Sequence, residues 1–203
     1  HLFKISRKLR LNVLEITLDM AGSMKLIAKR CFPNAVQVID RFDVQKLATE
    51  ALQEIRIGHR WEAIDLENEW ITENKLKDKP LPIEVFENGD TRKQLLARSR
   101  YLLYKSQEKW TESQQQRAQI LFENYPDIEK AYGLTNGLRQ IYNKRIVKDV
   151  AMLKLAHWFK DVENAGFKTF NTLVRTINQH YNDILNYFIN RSTNASAESF
   201  NAK

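Results

Sequence analysis

Val13-Leu14-Glu15-Ile16-Thr17-Leu18-Asp19 and Ala35-Val36-Gln37-Val38-Ile39-Asp40 are two short apolar runs, rich in β-branched residues, and each ends in an aspartate. Such runs read as strands, over 13–18 and 36–39. Between them Ser23 is suited to cap a helix over Met24–Phe32, which Pro33-Asn34 stops. Strands joined by one helix pair in parallel through a right-handed crossover. Asp19 and Asp40 then leave the sheet at the same edge, where open α/β sheets bind their ligands. A third acid, Glu198, stands far downstream in Thr193-Asn194-Ala195-Ser196-Ala197-Glu198-Ser199-Phe200-Asn201.

Asp19 is followed closely by the small residues Ala21 and Gly22, so a cation has room beside it. Magnesium takes oxygen ligands and is usually held by one or two protein carboxylates plus substrate phosphate. Two such ions about 4 Å apart can clamp the attacking and leaving oxygens of an in-line phosphoryl displacement. The same residues also admit structural roles: a cap or turn for Asp19, a solvated helix residue for Glu198, and a capping pair or strand-to-helix bridge for Asp40 with Asp43.

From Asp43 onward the pattern is helical. Val44, Leu47, Ala48, Ala51, Leu52 and Ile55 recur at helical spacing, with Asp43 as the expected cap, in a helix continuing to about Lys79. Pro80-Leu81-Pro82 and Asn88-Gly89-Asp90 mark a break. Further helices are expected over 91–105, from a capping box at Thr111 and Gln114 to Tyr125-Pro126, and over 127–144 with a weak point near Gly133 and Gly137. The last three cover 146–164, 167–178 and 182–190. In the first of them Ile146, Val150, Leu153 and Trp158 form the apolar face, and Gly166 is the C-cap. The fold class is mainly α with a small α/β element. The four tryptophans, Trp61, Trp70, Trp110 and Trp158, fall at helical positions, where core packing is the expected role.

The chain has 203 residues, 43% of them hydrophobic, enough for one large or two small domains with a substantial core. Its one cysteine, Cys31, excludes an internal disulfide framework and a cysteine-rich zinc site. No stretch reads as a membrane span or signal peptide, so a cytoplasmic protein with no membrane partner is expected. No phosphate-binding or nucleophile-elbow glycine motif occurs, and the four histidines lack metal-ligand spacing. A net charge of +7 suits a polyanion, and nucleic acid leads the candidates. The cations are spread through the chain, with clusters at Lys4–Arg10, at Arg92–Lys105 and at Arg139–Lys148. The chain opens on His1 and offers only two strands, too few for a stable sheet alone. It therefore reads as part of a longer protein, or as one that folds with a partner.

The order of these pieces resembles the bacterial insertion-sequence transposases of the ISL-three type. An apolar strand ending in Asp19-Met20 is followed by a helix, by Phe32-Pro33-Asn34-Ala35, and by Val38-Ile39-Asp40-Arg41-Phe42. Ala97 to Lys105 with Trp110-Thr111-Glu112 resembles a second family segment. Ile184-Leu185-Asn186-Tyr187-Phe188, Arg191-Ser192-Thr193-Asn194 and Glu198-Ser199-Phe200-Asn201 resemble the family's ending.

The resemblance implies a partial ribonuclease-H-like core over 1–45, a large helical insertion over 46–180, and a C-terminal helical segment over 181–203. It implies a DDE acid triad in which Asp19 is the second acid and Glu198 the third, both catalytic and both metal ligands. Asp40 and Asp43 belong to an accompanying motif, although the family's histidine is Asp43 here and the glycine after its glutamate is Ser199. Which of Asp19 and Asp40 is the second acid stays open, with Asp19 favoured because it follows its strand directly. The cofactor implied is two Mg2+ or Mn2+ ions, and the partner double-stranded DNA, as transposon ends and target, with a homodimer as a further expectation. Arg98, Arg100, Lys105, Lys144 and Arg145 are the candidate DNA contacts. The first acid is expected upstream of His1, so this stretch alone is expected to be inactive. The competing reading is a non-catalytic helical nucleic-acid or protein interaction module; a nuclease of the same fold is a third.

Overall fold

The computed structural model describes residues 1–74 and 84–194. Among these, β1 (Glu15–Leu18) and β2 (Val36–Ile39) pair in parallel, with Leu18 opposite Ile39, and α2 (Gly22–Cys31) connects them. A short helix α1 (Arg7–Leu11) precedes them, capped by Ser6. The remainder is helical: α3 (Arg41–Asn74), α4 (Arg92–Arg98), α5 (Glu112–Asn124), α6 (Pro126–Asn143), α7 (Lys148–Ala165), α8 (Lys168–Gln179) and α9 (Tyr181–Asn190). The class is the expected one, mainly α with a small α/β element.

The chain divides into two compact units. The first comprises His1–Ala48 and Gly137–Lys203; the second is Thr49–Asn136. In the first, β2 lies against α9, whose Asn186 donates from Nδ2 to the Gln37 carbonyl at 2.9 Å and accepts from Lys148 Nζ at 2.8 Å. Leu18, Val38 and Ile39 of the strands and Ile184, Leu185, Tyr187 and Phe188 of α9 are buried. A fully buried side chain of this size contributes about 1.5–3 kcal/mol. On α8, Phe170, Leu173 and Ile177 are buried at helical spacing. Gly166 ends α7 with φ 75°, the left-handed turn that the sequence pattern predicts.

In the second unit two capping boxes form, the expected one at Thr111 and a further one at Thr91. Thr91 and Gln94 close the start of α4, and Thr111 and Gln114 that of α5. Asp90, fully buried, accepts from Arg117 Nε at 2.9 Å and from Arg98 Nη1. Trp110 donates to the Leu102 carbonyl at 2.8 Å and stacks on Tyr132, whose hydroxyl donates to the Lys105 carbonyl.

Several local expectations are corrected. Ala21, not Ser23, precedes α2, and Ser23 lies within its first turn. Asp43 sits inside the first turn of α3 rather than capping it. The helix expected over 91–105 stops at Arg98. The chain then passes through a 3-10 turn at Leu102–Tyr104 that buries Leu102 and Leu103. α6 runs unbroken through Gly133 and Gly137. The buried face of α7 is Ala151, Leu155, Trp158 and Val162, whereas Val150 and Leu153 are exposed. Trp61 is 60% exposed and is no core residue. The end of the helix expected to reach Lys79, and the Pro80-Leu81-Pro82 break, lie outside the described residues.

Candidate active site

Parallel pairing puts the strand-end acids side by side in register. Leu18 and Ile39 are partners, Asp19 and Asp40 follow them, and the Asp40 N–H donates to the Leu18 carbonyl at 3.2 Å. Their surroundings nevertheless differ. Asp19 is exposed. Its Oδ1 accepts from the Ala21 N–H at 3.0 Å, an Asx turn that starts the path into α2, and its Oδ2 accepts no bond from the described residues. An exposed carboxylate with one oxygen uncommitted fits a hard cation that needs few protein ligands.

Asp40 is 3% exposed and both its oxygens are committed. Oδ1 accepts from the Phe42 N–H at 2.8 Å, the bond an N-cap makes at the start of α3. Oδ2 accepts from the Asn194 N–H at 2.6 Å. Burying a carboxylate is costly unless its oxygens are satisfied, and here two backbone amides satisfy it. Asp40 is thus a bridge between a strand end, a helix start and the chain beyond α9.

That chain is directed by Arg191. Its backbone is left-handed, with φ 59° and ψ 33°, and ends α9. Its guanidinium donates to the Tyr142 carbonyl at 2.6 Å and the Lys144 carbonyl at 2.8 Å, and lies over the Tyr187 ring. A non-glycine residue at positive φ is costly, and these bonds hold it there. Asn194 then meets Asp40 four residues before Glu198, which itself lies outside the described residues. Local sequence gives Arg191 and Asn194 no role; their only signal is their place in the motif quoted for the resemblance.

The remaining candidates are dispersed. Asp43 is half-buried in the first turn of α3. Arg98 is ion-paired to buried Asp90, Arg100 is exposed with its guanidinium over the Tyr101 ring, and Lys105 donates to Gln114. Lys144 and Arg145 are exposed just after α6. Among the described residues no three acid, histidine or cysteine side chains group as a metal site. None of the helices searched there is long and apolar enough to cross a membrane.

The family model of the ISL-three DDE type, described as a transposase, matches residues 1–203. No curated protein and no solved structure matches the chain.

Proposed function

The chain belongs to the ISL-three family of transposases, and from that membership we propose that it forms part of a DDE catalytic core of ribonuclease-H-like type. Its reaction is metal-dependent cleavage of DNA at the ends of an insertion sequence, followed by joining of the freed 3′-hydroxyl to target DNA. In a bacterium that work is done in the cytoplasm, with double-stranded DNA as partner. The observation that carries the reading is the shared sheet edge: Asp19 and Asp40 leave it together, and the chain leading to Glu198 is tied to it through Asn194 and Asp40.

Asp19 and Glu198 are the proposed catalytic acids and metal ligands. Asp19 is preferred over Asp40 as the second acid because its Oδ2 accepts no bond among the described residues, whereas both oxygens of Asp40 are bonded. Mg2+ or Mn2+ bound there would polarise the phosphodiester and lower the pKa of an attacking hydroxyl. Asp40 and Arg191 act before any chemistry, by fixing the chain at Asn194, four residues before Glu198, to the sheet edge.

The test is cleavage of transposon-end DNA by a chain carrying all three family acids. Asp19→Asn and Glu198→Gln should each lower the Mg2+-dependent rate by about 1000-fold, the loss expected for several kcal/mol of transition-state stabilisation. DNA binding in EDTA should be unchanged. Cleavage that survives both substitutions sinks the assignment. DNA binding with no cleavage, indifferent to metal and to Asp19→Asn, is what the non-catalytic interaction module would give.

A further inference from the structure

In the helical unit Thr49–Asn136, where acids outnumber cations overall, Arg56, Arg60 and Arg100 make a local group of positive charge. Arg56 of α3 is 4% exposed. Its guanidinium donates to Gln53 Oε1 at 2.6 Å and to the Leu96 carbonyl at 2.7 Å, and no carboxylate among the described residues meets it. Gln53 in turn donates to the Arg100 carbonyl at 3.2 Å, which fixes Arg100 beside this turn of α3. Arg60, one turn further along α3, is exposed, and neither it nor Arg100 forms an ion pair among the described residues. Burial first, then the charges of Arg60 and Arg100, lower the pKa of Arg56 from its ordinary value. Repulsion of this kind is relieved when an anion arrives.

Beside the cations stands an aromatic surface. Tyr101 is 67% exposed, and the Arg100 guanidinium lies 5.5 Å from its ring centroid on one face. Stacking by a cation orients the ring and leaves its other face to solvent. Guanidinium groups at phosphate-binding positions next to an open aromatic face are the parts from which single-strand binding surfaces are built. Phosphates pair with the cations, and an unstacked base lies on the ring. A duplex has no unstacked base to offer.

We propose that Arg60, Arg100 and Tyr101 form a landing surface for an unpaired DNA strand, with its phosphates on the two guanidinium groups and a base stacked on the open face of Tyr101. The choice of DNA over RNA rests on the transposase reading; the rest follows from charge and ring geometry. The cations attract duplex and single strand alike, and the ring is what separates them.

The test is fluorescence anisotropy with the full chain in EDTA, comparing a labelled thymidine oligonucleotide of about 12 residues, within the usual site size, with a duplex of equal length. Tyr101→Ala and Tyr101→Leu should weaken single-strand binding by about 5- to 100-fold and leave duplex binding nearly unchanged. Tyr101→Phe should bind like the unmodified protein. Arg60→Ala and Arg100→Ala should weaken both ligands and reduce the salt dependence by about one counterion each. Equal binding by Tyr101→Ala and the unmodified protein, or equal losses on both ligands, overturns the proposal. So does failure of the unmodified protein to bind either ligand at low salt, which would point to an acidic protein partner. Since no metal is present, a negative result leaves the Asp19 assignment standing, and an inert Asp19 leaves this surface standing.

Discussion

Asp19 and Asp40 stand side by side, yet replacement by asparagine should cost them very differently. In Asp40→Asn the new NH2 group must face one of two backbone N–H donors in a buried site, which should destabilise the protein by about 1–3 kcal/mol. Asp19→Asn changes an exposed group with one local bond and should stay within about 0.5 kcal/mol. Urea unfolding of the two variants checks this, and equal stability losses would refute the division of labour between the acids. Asp90 makes a pH prediction. Burial raises its carboxyl pKa, but hydrogen bonds from Arg117 and Arg98, with their charges, outweigh that and hold it below its ordinary value of 3.8. A carboxyl depressed in the folded state contributes stability that is fully present above its unfolded pKa and is lost as pH falls through the folded one. Melting temperature should therefore fall more steeply below about pH 4 in the unmodified protein than in Asp90→Asn, whose folded state no longer depends on that carboxylate.

At the scale of elements, the structure separates glycines that look alike in sequence. Gly166 ends α7 at φ 75°, where a Cβ is strained, so Gly166→Ala should cost about 1 kcal/mol. Gly133 lies inside α6, exposed and with nothing within 4 Å of a built Cβ, so Gly133→Ala should stabilise by about 0.5–1 kcal/mol. Thermal unfolding of both distinguishes them by sign. The features legible in the sequence are those with local causes: the β-α-β unit, the box at Thr111 and Gln114, the Gly166 stop, and the mainly helical class. Expectations failed where tertiary packing decided. Apolar residues line α7 on two sides, so periodicity admits two faces, and the packed one is Ala151-Leu155-Trp158-Val162. Past Arg98 the Ser99 hydroxyl donates back to the Leu95 carbonyl, and the chain leaves the helix to bury Leu102 and Leu103. At the candidate site the sequence pattern brings Asp19 and Asp40 to one edge. The bond from Asn194 spans 154 positions, and no local signal encodes it.

Across the whole molecule, the strand-bearing unit is discontinuous. The chain leaves it after Ala48, completes Thr49–Asn136, and returns at Gly137. Its principal ties are correspondingly remote: the Gln37 carbonyl meets Asn186 across 149 positions, and Asp40 meets Asn194. Closing so long an intervening segment costs little equilibrium stability, because the entropic penalty grows only with the logarithm of its length. It costs time, because remote contacts form late. Synthesis runs in one direction and contiguous units fold as they emerge. On the ribosome, then, the helical unit has all its residues while β2 still lacks the helix that packs on it. The strands carrying Asp19 and Asp40 wait half-built until α9 appears, and in that interval a chaperone would find its substrate.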